Sequence, residues 1–278
     1  MLVDGKKTRL GHYLAFVLLM LAAILALLPL YWMIVTAIQE PTLTVTFPPE
    51  WFPANPTLFN FERLFQRPHI FRWTLNSLIV ATTVTLAQIL TCAMAGYSFA
   101  KKQFPGSNFL FYLYIASMMV PGQVTLVPLF LIMSKLDLLN TYWGLILPAV
   151  ASPFGVFLMK QFISTLPTEL IEAAIIDGCS EWQTFYRVVL PLAKPGLAVL
   201  GIFTFMGQWN EFLWPLIITN SSAMRTLPVG LGILQEELPM QYGLLMAGAT
   251  YAAVPMIIIF FTFQRYFLEG VTVGALKG

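Results

Sequence analysis

The chain has 278 residues, 58% hydrophobic and only 10% charged, with a formal net charge of +2 and a mean hydropathy of +0.76. A soluble domain carries about 25% charged residues, so the composition excludes a soluble globule and points to an all-α protein that crosses a membrane several times. The basic residues are scattered, which gives no nucleic-acid surface. Cys92 and Cys179 form no C-x-x-C pair, and His12 and His69 are isolated, so no disulfide and no metal site is expected.

In chain order, residues 1–13 form a short tail carrying Lys6, Lys7 and Arg9. Leu14–Ile38 is almost wholly apolar and longer than a signal-peptide core of about 7–15 residues, so it reads as a retained first span. Gln39–Arg72 is polar, aromatic and proline-rich, with a short helix expected over Asn60–Arg67. Leu75–Ala100 reads as the second span, and its Asn76, Thr82, Thr83, Thr85, Gln88 and Thr91 give it a polar face for the bundle interior. Lys101, Lys102, Pro105 and Gly106 make a basic turn. Phe109–Met133, interrupted by Pro121-Gly122 and Pro128, is the expected third span, and Gly144–Met159, with Pro148 and Pro153, the fourth. Leu197–Thr219 and Gly243–Phe267 complete six spans, the intervening Asn220–Tyr242 reads as a polar loop, and Leu268–Gly278 is a tail.

Between the fourth and fifth spans lies the longest largely polar interruption of the second half, Pro167–Pro195, within a segment 164–195. Pro167 suits a helix start, Glu169 favours the positive end of the helix dipole and Gly178 supplies a left-handed stop. Leu170, Ala173, Ala174 and Asp177 fall at i, i+3, i+4, i+7, one face of a helix of about three turns. Ser180 and Gln183 form an S-x-x-Q capping box that opens a second short helix. An isolated helix under about 12–15 residues is marginal in water, so the first helix needs a partner. Its polar residues are mainly acidic (Glu169, Glu172, Asp177, Glu181), whereas a helix lying on lipid headgroups would present a basic face.

Six spans put both ends on one side. With that side inside, the inner segments hold ten basic residues (Lys6, Lys7, Arg9, Lys101, Lys102, Lys160, Arg187, Lys194, Arg265, Lys277) against five outside (Arg63, Arg67, Arg72, Lys135, Arg225). The positive-inside rule therefore places both termini and the acidic segment in the cytoplasm. No G-x-x-x-x-G-K-[ST] loop occurs, so the chain has no nucleotide site of that type.

Within the expected fifth span stand Gln208, Trp209, Asn210 and Glu211. A carboxylate at membrane depth usually faces a bundle interior or a wet cavity. Amides, a carboxylate and an indole would suit an array of sugar hydroxyls. They would equally suit an interhelical hydrogen-bond cluster, or contact with a protein at the outer mouth. Gln88 and Gln123 are further pathway candidates, while Met118-Met119, Phe212 and Trp214 read as packing.

The sequence Glu172-Ala173-Ala174, followed by Gly178 and then Val188, Leu190 and Pro191, resembles the EAA signature of the membrane subunits of ABC importers, with Val188 where that family has Ile. The ending Glu269–Gly278 closely resembles that of maltose-type carbohydrate permeases, and Trp51-Phe52-Pro53 with Asn55-Pro56-Thr57 looks like their first external loop. The resemblance implies a type I ABC importer permease fold over 14–267, with an external loop at 39–72, in a bacterial inner membrane. It implies that Glu172, Ala173, Ala174, Asp177, Gly178, Leu190 and Pro191 couple to an ATPase, and that Gly270, Gly274, Lys277 and Gly278 reach the same partner. The implied partners are a second permease, a dimer of ATPases that bind MgATP, an extracytoplasmic sugar-binding protein and lipid. In the maltose-type family most sugar contacts come from the other permease. Two rivals are a self-contained secondary transporter or channel, which would need no ATPase, and a membrane enzyme, which would need a catalytic partner for Glu211 that the spans lack.

Overall fold

The computed structural model describes the backbone of residues 5–40, 50–238 and 241–275, and the side chains of 11–40, 50–238 and 241–264. Every element among them is helical: α1 Gly5–Ala37, α2 Phe59–Phe65, α3 Ile70–Lys101, α4 Ser107–Ala116, α5 Gly122–Lys135, α6 Tyr142–Ile146, α7 Pro153–Ser164, α8 Thr168–Ile176, α9 Glu181–Thr184, α10 Leu190–Leu192, α11 Lys194–Asn210, α12 Leu213–Ile218, α13 Leu227–Glu237 and α14 Tyr242–Ala275. Contacts divide the chain into two units, Met1–Pro68 with Leu231–Val254 and His69–Gly230 with Pro255–Gly278.

In the first unit, α1 is apolar all round, and its side chains from Tyr13 to Leu30 are largely exposed, as lipid-facing residues are. The proline-rich segment after it folds back on its end. Buried Asn60 donates to the carbonyls of Ala37 at 3.0 Å and Gln39 at 2.9 Å, Tyr31 donates to Trp51 O at 2.6 Å, and the Trp32 and Trp51 rings meet edge to face. The expected short helix at Asn60–Arg67 is α2, begun one residue earlier.

The second unit is built on α3. Its buried residues recur along one stripe and face α7 and α11, its principal neighbours. Gly96 permits a close approach of α7: a Cβ there would meet Met159 Cβ at 2.7 Å and Lys160 N at 2.8 Å. One core joins Cys92, Ala93 and Tyr97 of α3 with Val156, Met159 and Ile163 of α7, Ile171 of α8, and Phe185, Val189 and Leu200 further on. A second surrounds Val80, Val84, Leu145, Ile146 and Ile218.

Three described helices are long and apolar enough to cross a membrane unbroken: 11–37 within α1, α3, and 242–264 within α14. The expected third, fourth and fifth spans are each interrupted. Ser107–Met119 and Gly122–Lys135 meet at 100° across Val120-Pro121, where Pro121 ends one helix and heads the next. Tyr142–Ala149 and Pro153–Ser164 meet at 45°, Pro153 being the first residue of α7. The expected Leu197–Thr219 span starts earlier, at Lys194, bends 77° from Glu181–Leu192, and stops at Asn210 before α12 resumes. The supposed loop Asn220–Tyr242 carries α13, and α14 runs past Phe267 to Ala275, where a separate tail was expected.

The break before α7 explains much of the polarity of α3. Where Pro153 interrupts the helix, the carbonyls of Ala149 and Val150 lose their helical donors, while Ser152 O still accepts from Val156 N at 3.0 Å. Gln88 Nε2 donates to Ala149 O at 2.6 Å, Thr91 Oγ1 to Val150 O at 3.2 Å, and Cys92 Sγ to Ser152 O at 3.7 Å. These three stand at i, i+3, i+4 on α3, one helical face. Thr204 of α11 donates to Gln88 Oε1 at 2.9 Å, so the amide is satisfied on both sides.

The other end of α3 organises the segment after α12. Trp73 Nε1 donates to Ser222 O, Asn76 Nδ2 to the carbonyls of Ala223 and Arg225, and Leu227 N to Ser77 Oγ. Tyr142 donates to Asn76 Oδ1 at 2.6 Å.

Candidate functional site

The EAA signature has a geometric cause. Asp177 caps α8, and Gly178 follows at φ +81°. Gly178 N donates to Ile175 O at 3.0 Å and Cys179 N to Ala174 O at 2.9 Å, the paired 5→2 and 6→1 bonds of a Schellman motif. That motif puts its left-handed residue four positions after the carbonyl that receives the longer bond. The spacing from Ala174 to Gly178 is thus the spacing of the turn itself. Ser180 and Gln183 close the expected capping box, with Gln183 Oε1 accepting from Ser180 N at 2.8 Å and Ser180 Oγ from Gln183 N at 3.3 Å.

Phe185–Val189 is a wide, π-type turn, and Leu190-Pro191 follows it. Pro191 has no N–H to give to a preceding carbonyl, and local widening of the helix accommodates such a residue. Leu190 is half-buried against the α3–α7 core and Pro191 exposed. The Leu-Pro end of the signature therefore shapes the return into α11.

Burial separates the inner and outer residues of α8. Ile171 and Ala174 are the buried residues, while Leu170, Ala173 and Asp177 are exposed with Glu172. Ile171 and Ala174 take the place in the core, which leaves three of the four residues at the i, i+3, i+4, i+7 positions open. The outer surface then combines the Glu172 carboxylate with Leu170, Ile175 and Ile176, the last 85% exposed, and Trp182 of α9. An acidic group set among uncovered apolar side chains at a helical hairpin is the makeup of a docking surface.

Beneath this hairpin, the end of α3 grips it. Lys101 Nζ donates to Leu166 O at 2.6 Å and to Thr168 Oγ1 at 3.1 Å. Lys102 Nζ lies 2.7 Å from Glu181 Oε1 and above the Tyr97 ring at 5.3 Å, and Tyr97 OH donates to Glu181 Oε2 at 3.5 Å. Partial burial would lower the Lys102 pKa, but its hydrogen bond to Glu181 and the contact with Tyr97 outweigh this and leave it above the ordinary lysine value. Met94, Tyr97, Ser98, Lys102, Glu181, Trp182 and Phe185 line a cavity of about 300 Å³ here. The sequence marked Lys101-Lys102 as a basic turn and as inner charge but not as a hold on the hairpin; the signal available was two adjacent lysines beside an acidic segment.

The pathway candidates are dispersed. Trp209 is buried and stacked on Phe205 with ring centroids 6.0 Å apart. Gln208 is half-buried and Asn210 exposed, its amide donating to Met206 O. Glu211 stands in the break before α12, where its Oε1 accepts from Leu213 N at 3.1 Å and Trp214 N at 3.2 Å, capping the new helix. Gln88 belongs to the polar ladder on α3, and Gln123 is exposed in the first turn of α5. The backbone at Gly270 and Gly274 is helical, whereas side chains of this tail, and Lys277 and Gly278 altogether, lie outside the described residues. No cluster of metal-binding side chains occurs among the described residues.

The family model for the binding-protein-dependent transport system inner membrane component matches residues 88–273. The arabinooligosaccharides transport system permease protein AraQ of Halalkalibacterium halodurans is 41% identical over 227 residues, 81% of each chain. Its Bacillus subtilis counterpart is 37% identical over 262 residues, 93% of each. The lactose transport system permease protein LacG of Rhizobium radiobacter is 32% identical over 275 residues, 98% of each. Among solved structures, a chain of a bacterial ABC transporter involved in the import of the acidic polysaccharide alginate superposes with a TM-score of 0.83 at 20% identity, over 96% of this chain and 100% of that one, which establishes a common fold. Residues 88–273 run from the polar ladder of α3 through the EAA hairpin into α14, and the relatives cover nearly the whole length: the chain belongs to the binding-protein-dependent transport system inner membrane components, the permease subunits of ABC importers.

Proposed function

We propose that this chain is one of two permease subunits of an ATP-driven carbohydrate importer, with six spans and both termini in the cytoplasm. The relatives named for arabinooligosaccharides and lactose support a saccharide as cargo. A related alginate importer has been solved with a saccharide-bound periplasmic protein, which supports delivery by an extracytoplasmic sugar-binding protein. The hairpin Thr168–Gln183 meets a cytoplasmic ATPase, and a second permease completes the route. MgATP is bound and hydrolysed by the ATPase dimer, not by this chain. The tail residues Gly270, Gly274, Lys277 and Gly278 extend the ATPase contact. Gln208, Asn210, Glu211 and Gln123 border the route for the cargo.

The observation that carries this reading is the exposed Glu172 on a hairpin whose turn is fixed by Gly178. Glu172 has Ile176, one turn further along, as an exposed neighbour on the same helix. A cationic side chain on a docked partner would desolvate it. Truncating one partner of such a pair costs about 2–5 kcal/mol, against about 0–1 kcal/mol for a pair left in solvent. Glu172→Lys is expected to insert normally while losing the ATPase in affinity pull-down and losing ATP-dependent uptake of radiolabelled oligosaccharides in proteoliposomes. A charge reversal in the ATPase groove is expected to restore both. Full ATPase retention and full uptake in Glu172→Lys would reject the docking role.

A further inference from the structure

The proposed docking helix is too short to transmit anything unless it is fixed to a longer element. With nine residues, α8 is below the length at which a helix holds itself in water. Its attachments to α3 are at three places along the hairpin. Before it, Leu166 O and Thr168 Oγ1 accept from Lys101. In its middle, Ile171 is buried in the core that contains Tyr97. Beyond its Gly178 turn, Glu181 accepts from Lys102 and from Tyr97, and Phe185 packs against the Tyr97 ring at 5.7 Å. Adjacent residues at one helix end thus hold both flanks of the hairpin. An apolar contact alone would permit α8 to roll about Ile171; anchors on either side remove that freedom.

We propose that Lys101 and Lys102 are positioning residues that make the EAA hairpin and α3 move as one body, so that displacement of α8 by the ATPase reaches the membrane-spanning part of the chain through α3. The inference rests on the docking role proposed for α8. Its mechanical consequence follows from the polar ladder at the middle of α3: a helix that carries α8 at one end also holds the broken segment before α7 and Thr204 of α11. The Lys102 and Glu181 side chains retain 31% and 63% of their solvent exposure. Such a pair adds little to stability, so its removal leaves the chain folded and changes the orientation of the hairpin under load.

The test uses the complex of this chain with its co-purifying ATPase, in a background in which Cys92 and Cys179 are replaced by alanine and serine. Nitroxide labels are placed at Glu169 on α8 and Leu86 on α3, both exposed, and their separation is measured by pulsed electron resonance with and without MgATP. With both lysines present, a single narrow distribution unchanged by MgATP is expected. In Lys102→Met and in Lys101→Met, the distribution without nucleotide stays narrow, and MgATP shifts and broadens it while the ATPase remains bound. Lys102→Arg, and the exchange Lys102→Glu with Glu181→Lys, restore the narrow distribution. A distribution that MgATP leaves narrow in both methionine variants overturns the proposal. So does one already broadened without nucleotide and not restored by the exchange, since that marks a tie needed only for folding. Failure of the ATPase to co-purify with the unsubstituted chain defeats the docking role itself and the clamp with it.

Discussion

Gly178 illustrates how one backbone angle fixes the proposed docking surface. Its φ of +81° lies in the left-handed region, yet a Cβ built there would meet nothing within 4 Å. The demand is conformational and not steric. A β-branched residue is strongly disfavoured at such an angle, and a left-handed non-glycine residue costs about 1–2 kcal/mol. Gly178→Val is therefore expected to open the Schellman turn, reorient α8 and sharply reduce ATPase pull-down. Gly178→Asn, which tolerates the left-handed region, should retain most of it. Equal retention in both variants would show that the turn does not depend on this angle. Glu211 shows the opposite relation between sequence and role. A carboxylate in an apolar run reads as a pathway group, but its visible work is to satisfy two amides where the helix restarts. The sequence conceals this because the proline that ordinarily announces such a break is absent from positions 208–213.

At the level of elements, α3 was legible as a span with a polar face, and most of its polar positions were assigned to the interior correctly in kind. Thr82 and Thr83 are exposed, however, while Asn76, Ser77 and Gln88 are buried and paired. What the amino acids alone could not convey was the identity of the acceptors: carbonyls released by interruptions about 60 and about 150 residues further along. Gln88→Leu should leave the Ala149 carbonyl and the Thr204 hydroxyl without that partner. Each orphaned buried group costs about 1–3 kcal/mol, so the variant should show a clearly lower thermal unfolding midpoint in detergent, with membrane insertion preserved. Gln88→Glu, which keeps an acceptor for Thr204 but loses the donor to Ala149, should fall at least as far. An unchanged midpoint in Gln88→Leu would mean that water replaces the amide. Likewise α13 escaped sequence reading because Leu227–Glu237 contains a proline and two glycines, residues that lower helix propensity but do not prevent a helix supported at its start by Ser77.

For the molecule as a whole, hydropathy located the long apolar helices α1, α3 and α14, and caps, glycine and charge located the EAA hairpin. The interruptions were signalled by Pro121 and Pro153, but their angles of 100° and 45° depend on packing that no local pattern encodes. Topology remains a matter of charge: ten basic residues on one set of segments against five on the other. Reporters fused after Lys102 and after Lys194 are expected to be active only in the cytoplasm, and those at Pro56 and Ser222 only outside. External activity at Lys102 would invert the arrangement and remove α8 from reach of any cytoplasmic ATPase.

The placement of the ladder on α3 also bears on how the protein is made. Carbonyls stripped of their donors are costly in hydrocarbon, and Ala149 and Val150 would carry two of them into the bilayer. Because synthesis proceeds from the N-terminus, Gln88, Thr91 and Cys92 leave the ribosome about 60 residues before the acceptors they serve. The helix that receives the interrupted segment is available when that segment arrives, and the order of the genetic message becomes an order of assembly in which this break does not have to wait in lipid for its partner.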